Sequence, residues 1–178
     1  ASVTVEGDTT SYATFAEALA AASAAGTATI TLFDDVTVTA AQTIASGKTI
    51  TLDLNGHEIT ANLPSSNIFT VNGSLTVTDS SSPSTGKIEN FGSTNNNAKT
   101  ISVGSSGTFT LNGGTINCSY VTMGVDATGQ QTCSPELEIN GGEITFVNNL
   151  TVGNQSASEG ATNKISVNEG ILTCKDIN

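Results

Sequence analysis

The feature that most constrains this chain is a short phrase that returns at a fixed interval. Residues 109–116 (FTLNGGTI), 137–144 (LEINGGEI) and 165–172 (ISVNEGIL) align without gaps, each 28 residues after the last. A fourth copy stands at 52–59 (LDLNGHEI). A fifth is read at 75–79 (LTVTD) and 86–88 (GKI), with residues 80–85 inserted at the turn. Taking His57, Gly86, Gly114, Gly142 and Gly170 as equivalent gives offsets of 29, 28, 28 and 28 residues. A unit of this size cannot bury its apolar face alone, and stacking unit on unit does so along one continuous core.

Inside each copy the alternation apolar, polar, apolar has the period of a strand with one buried face, and Asn-Gly supplies the left-handed backbone of a sharp turn. The apolar position beyond the glycine opens the next wall of the coil. Second apolar pairs, Phe69 and Val71, Ile101 and Val103, Leu150 and Val152, supply a further wall. A sandwich or barrel would instead show hairpin signals every 8 to 12 residues or so. The expected fold is therefore all-β, a right-handed parallel β-helix of about five coils of roughly 28 residues, with an N-terminal capping α-helix.

One domain is expected over residues 1–178, with the cap at 1–28 and the coils at 29–178. The cap follows from Thr14 and Glu17, which have capping-box spacing, and from an alanine-rich run that Gly26 stops. This predicts a helix over about residues 14–25 with Phe15, Ala18, Leu19 and Ala22 on one side. No comparable plug follows residue 172. An uncovered last coil is an aggregation hazard, so the parent protein is expected to continue beyond Asn178.

Equivalent positions in stacked coils lie about 4.8 Å apart. The turn asparagines Asn55, Asn112, Asn140 and Asn168 are thus expected to hydrogen-bond as a structural ladder, beside the turn glycines Gly86, Gly114, Gly142 and Gly170. The same spacing tests the cysteines. Cys118 and Cys174 share a column but sit two coils, about 9.6 Å, apart, beyond the reach of a disulfide, with Phe146 between them. If a bridge forms, it is Cys118 to Cys133.

Sixteen acids against five lysines give a formal charge of −11, and there is no arginine. Such a surface repels phosphate backbones and anionic membranes, so neither nucleic-acid binding nor direct membrane insertion is expected. No apolar run is long enough for a transmembrane helix. Few basic residues with abundant Thr, Ser and Asn suggest a secreted protein.

Catalytic constellations are weak. His57, the lone histidine, takes a position held by glycine in the other copies, the pattern of an exposed polar turn residue. A glycosidase needs two carboxylates about 5 to 9.5 Å apart. Asp53, aligned by the repeat with Glu138, lies three coils or roughly 14 Å from it and from Glu136. No cofactor is expected. Calcium is the one metal weighed, with Asp34, Asp35 and Asp126 as candidates, although the nonapeptide calcium-roll motif is missing. An ice-binding face of stacked Thr-x-Thr pairs is set aside, because Thr76 with Thr78 and Thr108 with Thr110 align with Glu136 with Glu138 and Lys164 with Ser166.

Residues 12–19 (YATFAEAL), 30–36 (ITLFDDV), 44–59 (IASGKTITLDLNGHEI) and 111–116 (LNGGTI) resemble the pectate-lyase-like β-helix regions of large surface proteins of Gram-positive, often gut-dwelling, bacteria. The resemblance covers nearly the whole chain. It implies an extracellular, wall-associated, adhesin-like module that is not an enzyme, serving in adhesion or as a structural spacer. Similar lyases use an arginine or lysine base beside calcium-binding acids, and no such set is legible here. The alternative is a carbohydrate-active enzyme or glycan-binding module acting on polysaccharide. Partners would be a host or neighbouring-cell surface protein or glycan, met at loops 62–67, 80–85, 91–99 and 126–135.

Overall fold

The computed structural model describes residues 1–64, 66–92, 100–118, 121–123, 136–146, 149–152, 164–174 and 176–177. The chain is a β-solenoid of stacked parallel strands, with one helix among the described residues. Three sheets form its walls. Sheet 1 runs, in spatial order, Asp8–Ser11, Ser2–Val5, Thr27–Thr31, Thr49–Asp53, Ser74–Thr78, Thr108–Leu111, Glu136–Ile139 and Lys164–Val167. Sheet 2 runs Val36–Val38, Glu58–Ala61, Lys87–Asn90, Thr115–Cys118, Glu143–Phe146 and Ile171–Thr173. Sheet 3 runs Gln42–Ile44, Phe69–Val71, Ile101–Val103, Val121–Met123, Asn149–Val152 and Asp176–Ile177. The chain visits the sheets in rotation, so each circuit adds one parallel strand to each wall.

Period two puts every second side chain inside, and stacking turns these into vertical files. Ile30, Leu52, Val77, Leu111 and Ile139 form one file on sheet 1, each no more than 1% exposed. Ile59, Ile88, Ile116 and Ile144 form another on sheet 2. The β-branched residues that dominate these files suit the pleated surface and hold few rotamers. The files are buried on one side only, so the outer positions carry Thr, Ser, Asn and charged residues.

The helix spans Phe15–Ala25, with Thr14 as N-cap. Thr14 Oγ1 accepts from the Glu17 amide at 3.2 Å, and Glu17 Oε2 accepts from the Thr14 amide at 3.1 Å. Phe15, Ala18, Leu19 and Ala22 are buried, and Phe15 meets the Phe69 ring edge-on at 6.3 Å. Gly26, at φ 91°, ends the helix by donating to the Ala22 carbonyl at 3.1 Å. Two short strands absent from the sequence reading lie before it. Ser2–Val5 pairs antiparallel with both Asp8–Ser11 and Thr27–Thr31 and carries sheet 1 past its first parallel strand. Their alternation is too brief, and too rich in threonine on both faces, to stand out.

The register corrects one part of the repeat. On sheet 2, Glu58, Lys87, Thr115, Glu143 and Ile171 are successive neighbours, matching the glycine positions that precede them. On sheet 1, however, Leu52 opposes Val77 and then Leu111, not Leu75 and Phe109. The strand starts Thr49, Ser74, Thr108, Glu136 and Lys164 are therefore spaced 25, 34, 28 and 28 residues apart (49 to 74, 74 to 108, 108 to 136, 136 to 164). The copy at 52–59 is offset by two residues on this sheet, and the extra pair is absorbed in the turn before Glu58, where Leu54 is fully buried. Leu54 fits because its neighbours in the turn file are glycines. A Cβ at Gly86 would sit 2.6 Å from the Leu54 Cβ.

Candidate functional site

The corner between sheets 1 and 2 gathers most of the residues nominated from sequence. Its floor is the asparagine file. Asn140 Nδ2 donates to Asn112 Oδ1 at 3.2 Å, and Asn168 Nδ2 donates to Asn140 Oδ1 at 2.6 Å. Asn55 is not in this file, contrary to the expectation. Its side-chain Nδ2 donates to the Leu32 carbonyl at 3.0 Å, and its backbone takes φ 48° next to Gly56 at φ 81°. The two-residue offset explains this, since Thr78 and Asp53 continue the asparagine column beyond Asn112. Asp53 is accordingly not equivalent to Glu138. Thr51 is, through Thr76 and Thr110.

In the Asn-Gly-Gly copies, the left-handed position falls on the second glycine, at φ 83° in Gly114 and 76° in Gly142, rather than on the asparagine. Their closeness to the neighbouring coil is a second reason for glycine. A Cβ at Gly142 would lie 2.3 Å from the Gly114 carbonyl oxygen, and one at Gly170 2.2 Å from Ile139 Cγ2.

Asp79 organises the inserted loop 80–85. Its Oδ1 accepts from the Gly56 amide at 2.8 Å and from the Ser81 amide and hydroxyl at 3.2 and 2.7 Å. Its Oδ2 accepts from the Ser84 hydroxyl at 2.8 Å and the Gly86 amide at 2.6 Å. Partial burial pushes this carboxyl up, but the donors Ser81, Gly86, Ser84 and Gly56 together outweigh it and hold the pKa at about 2. Asp53 anchors the other side of the loop, accepting from the Ser80 amide at 2.9 Å and hydroxyl at 2.7 Å and from the Asn55 amide at 3.0 Å. With its pKa so lowered, Asp79 is a poor proton donor near neutral pH, and the hydrogen bonds of both acids shape the backbone.

Outside this loop an open groove of about 510 Å³ is bordered by Asp79, Ser84, Asn112, Gly114, Glu143 and Glu169. It exists because the glycine file leaves no side chains between the two walls. Glu143 also accepts from the Thr145 hydroxyl at 3.0 Å.

His57 Nδ1 lies 3.3 Å from Asp35 Oδ1, which also accepts the Glu58 amide at 3.0 Å. That amide chiefly, with a smaller contribution from the His57 ring against slight burial, lowers the Asp35 pKa. Asp34 is exposed beside it. The third metal candidate, Asp126, lies outside the described residues. Among the described residues no group of three or more His, Cys, Asp or Glu side chains converges.

Further along sheet 2, Lys87 sits between Glu89 at 3.0 Å and Glu58 at 3.4 Å. The Glu89 hydrogen bond, reinforced by the Glu89 and Glu58 charges, raises its pKa. On sheet 1, Lys164 bonds Glu136 and lies 3.6 Å from Glu138, and Glu136 foremost raises the Lys164 pKa. The two glutamates weighed with Asp53 as a carboxylate pair are thus partners of one lysine. Cys118 pairs in register with Phe146, and Cys174 is a free, partly buried thiol. Cys133 lies outside the described residues, and so does loop 126–135. No described helix is long and apolar enough to cross a membrane. Comparison with protein-family models, with curated proteins and with solved structures finds no match to this chain.

Proposed function

We propose that this chain is a non-catalytic extracellular module that displays loops from a stiff solenoid, acting in adhesion or as a spacer in a bacterial cell-surface protein. In this reading the solenoid is a right-handed parallel β-helix of five repeated coils of the pectate-lyase-like kind. The right-handed sense is the rule for parallel crossover connections. The observation that carries the proposal is the unbroken stack. Three walls of parallel strands share one core, so bending would shear many hydrogen bonds and interlocked files at once.

The acids near the groove also favour a presenting role over a catalytic one. Asp79 accepts from Ser81 and Ser84 of loop 80–85 and from Gly56 and Gly86 beside it, and Asp53 accepts from Ser80, which fixes that loop in one shape on the rigid wall. A pre-shaped loop loses little entropy on meeting a partner. The partner is a surface protein or glycan of a host or neighbouring cell.

Two measurements on the same protein test this. Spin labels at Thr9 and Ser166, on the outermost strands of sheet 1, are expected to give a single narrow distance distribution, as a spacer requires. A glycan and matrix-protein array is expected to register binding that is lost when residues 80–85 are replaced by a two-residue turn. A broad distribution overturns the stiff-module reading. Turnover of pectin or another polyuronide overturns the non-catalytic one.

A further inference from the structure

The corrected register changes what sheet 1 shows to solvent. One outward file runs Thr27, Thr49, Ser74 and Thr108, and beside it runs Thr29, Thr51, Thr76 and Thr110. The second file continues at the outer edge through Thr4, which opposes Thr29, and Thr9, which opposes Thr4. Across four parallel strands the two files form a hydroxyl grid, seven of its eight members threonine.

Neighbours within a file are one strand apart, about 4.8 Å, and the two files are two residues apart along the strand, about 6.6 Å. The repeat between strands is close to the shorter oxygen repeat on the prism plane of hexagonal ice, and the spacing between the files is somewhat shorter than the longer repeat. Threonine is suited to such a grid. Its branched β-carbon holds the hydroxyl and methyl in few orientations, and the parallel ladder beneath fixes the backbone.

The chemistry of the grid sets it apart from the outer face of sheet 2. Among the described residues, none of its eight hydroxyls bonds a protein group, whereas Thr4 bonds Thr9 at 2.8 Å and Thr37 approaches Thr60 at 3.5 Å. The eight hydroxyls are therefore satisfied by water. No charge falls within the two files on these strands, and it begins only at Glu136, Glu138 and Lys164 on the next two. Sheet 2 places Glu58, Lys87 and Glu89 on its outer face at the same height. A face kept soluble by charge would look like sheet 2.

We infer that the outer face of sheet 1, from Thr27–Thr31 to Thr108–Leu111, is an ice-binding surface. Waters held by the hydroxyls and arranged around the intervening methyls already lie on a lattice that ice can continue. Adsorption then costs little further ordering, which is the general advantage of a pre-organised site. The inference is independent of the adhesion reading, since it uses a different face.

The test uses the full chain carrying a fluorescent label. The wild-type protein is expected to enter a slowly grown ice hemisphere and to slow the coarsening of polycrystalline ice. Thr51→Lys with Thr76→Lys, at the centre of the grid, is expected to abolish both effects. Thr37→Lys, on sheet 2, is expected to retain both. Circular dichroism establishes that each variant is folded. Thr51→Gln, long but uncharged, serves in place of the double variant if the latter unfolds, and is expected to weaken adsorption severalfold. Exclusion of the wild-type protein from ice, at the level of serum albumin, overturns the inference. So does a folded grid variant that adsorbs as well as the wild type.

Discussion

Asp79 offers the most direct check on the packing of the corner between sheets 1 and 2. Five donors from Gly56, Ser81, Ser84 and Gly86 converge on its carboxylate. They lower its pKa from 3.8 to about 2 in spite of partial burial. A shift of this size corresponds to about 2.4 kcal/mol, and allowing for the part of the group that solvent screens leaves about 1 to 2 kcal/mol. The sign follows from the depression. The folded state binds the proton less tightly than the unfolded chain, so this stability is fully present above about pH 4 and is lost as pH falls through about 2.

Asp79→Asn removes the charge while keeping the size. Urea unfolding at pH 7 should show the variant less stable by about 2 kcal/mol, since the amide also turns an N–H toward donors. Repeating the titration at pH 4, 3 and 2 should shrink the gap toward zero, while acid effects on other carboxylates cancel between the two proteins. A gap that stays constant on acidification would refute the account of the shift. Equal stability at pH 7 would refute the cradle itself.

Five further substitutions probe the stack by equilibrium unfolding. Asn140→Ala breaks its bonds to both Asn112 and Asn168 and should cost about 1 to 2 kcal/mol, whereas Asn112→Ala, at the end of that run, should cost less. Gly142→Ala combines φ 76° with a Cβ placed 2.3 Å from a backbone oxygen, and its unfolding midpoint should fall by an amount equivalent to more than about 2 kcal/mol. Gly7→Ala, at φ 93° with nothing within 4 Å, should cost only about 1 kcal/mol. Phe69→Ala removes the ring that joins the helical cap to the core and should destabilise by about 3 to 5 kcal/mol, with the cap helix losing amide protection first in hydrogen exchange.

The stacked architecture was legible because two independent signals agreed. Alternation marked the strands, and the recurring glycine marked where each circuit entered sheet 2. The helix was legible because Thr14 and Glu17 form a capping box that depends only on local spacing. The Asp79 cradle was not legible. Its donors come from residues 56, 81, 84 and 86, in two different circuits, and nothing in the string DSSSPSTG distinguishes a pinned loop from an open one. The His57 and Asp35 contact was hidden for the same reason, being a meeting of residues 22 apart across one rung.

The two-residue slip at Leu52 has a more general cause. Side chains on a strand alternate with period two, so a slip of one residue reverses inside and outside and is punished at once by the core. A slip of two leaves every apolar residue inside. Leu52 can oppose either Leu75 or Val77 without any change in hydrophobic pattern, and only the volume of neighbouring side chains and the length of the turn decide. Here the turn decides. The stretch from Asp53 to Glu58 is two residues longer than that from Asn112 to Thr115, and Leu54 buries itself in the space the turn glycines leave. The core is indifferent to this choice, but the outer surface is not. The slip moves Asn55 out of the asparagine column, puts Asp53 in its place, and lines Thr49 and Thr51 up with Ser74 and Thr76. In a solenoid the inward pattern can therefore be read from sequence while the outward pattern, which meets ligands, depends on registers that hydrophobicity leaves free.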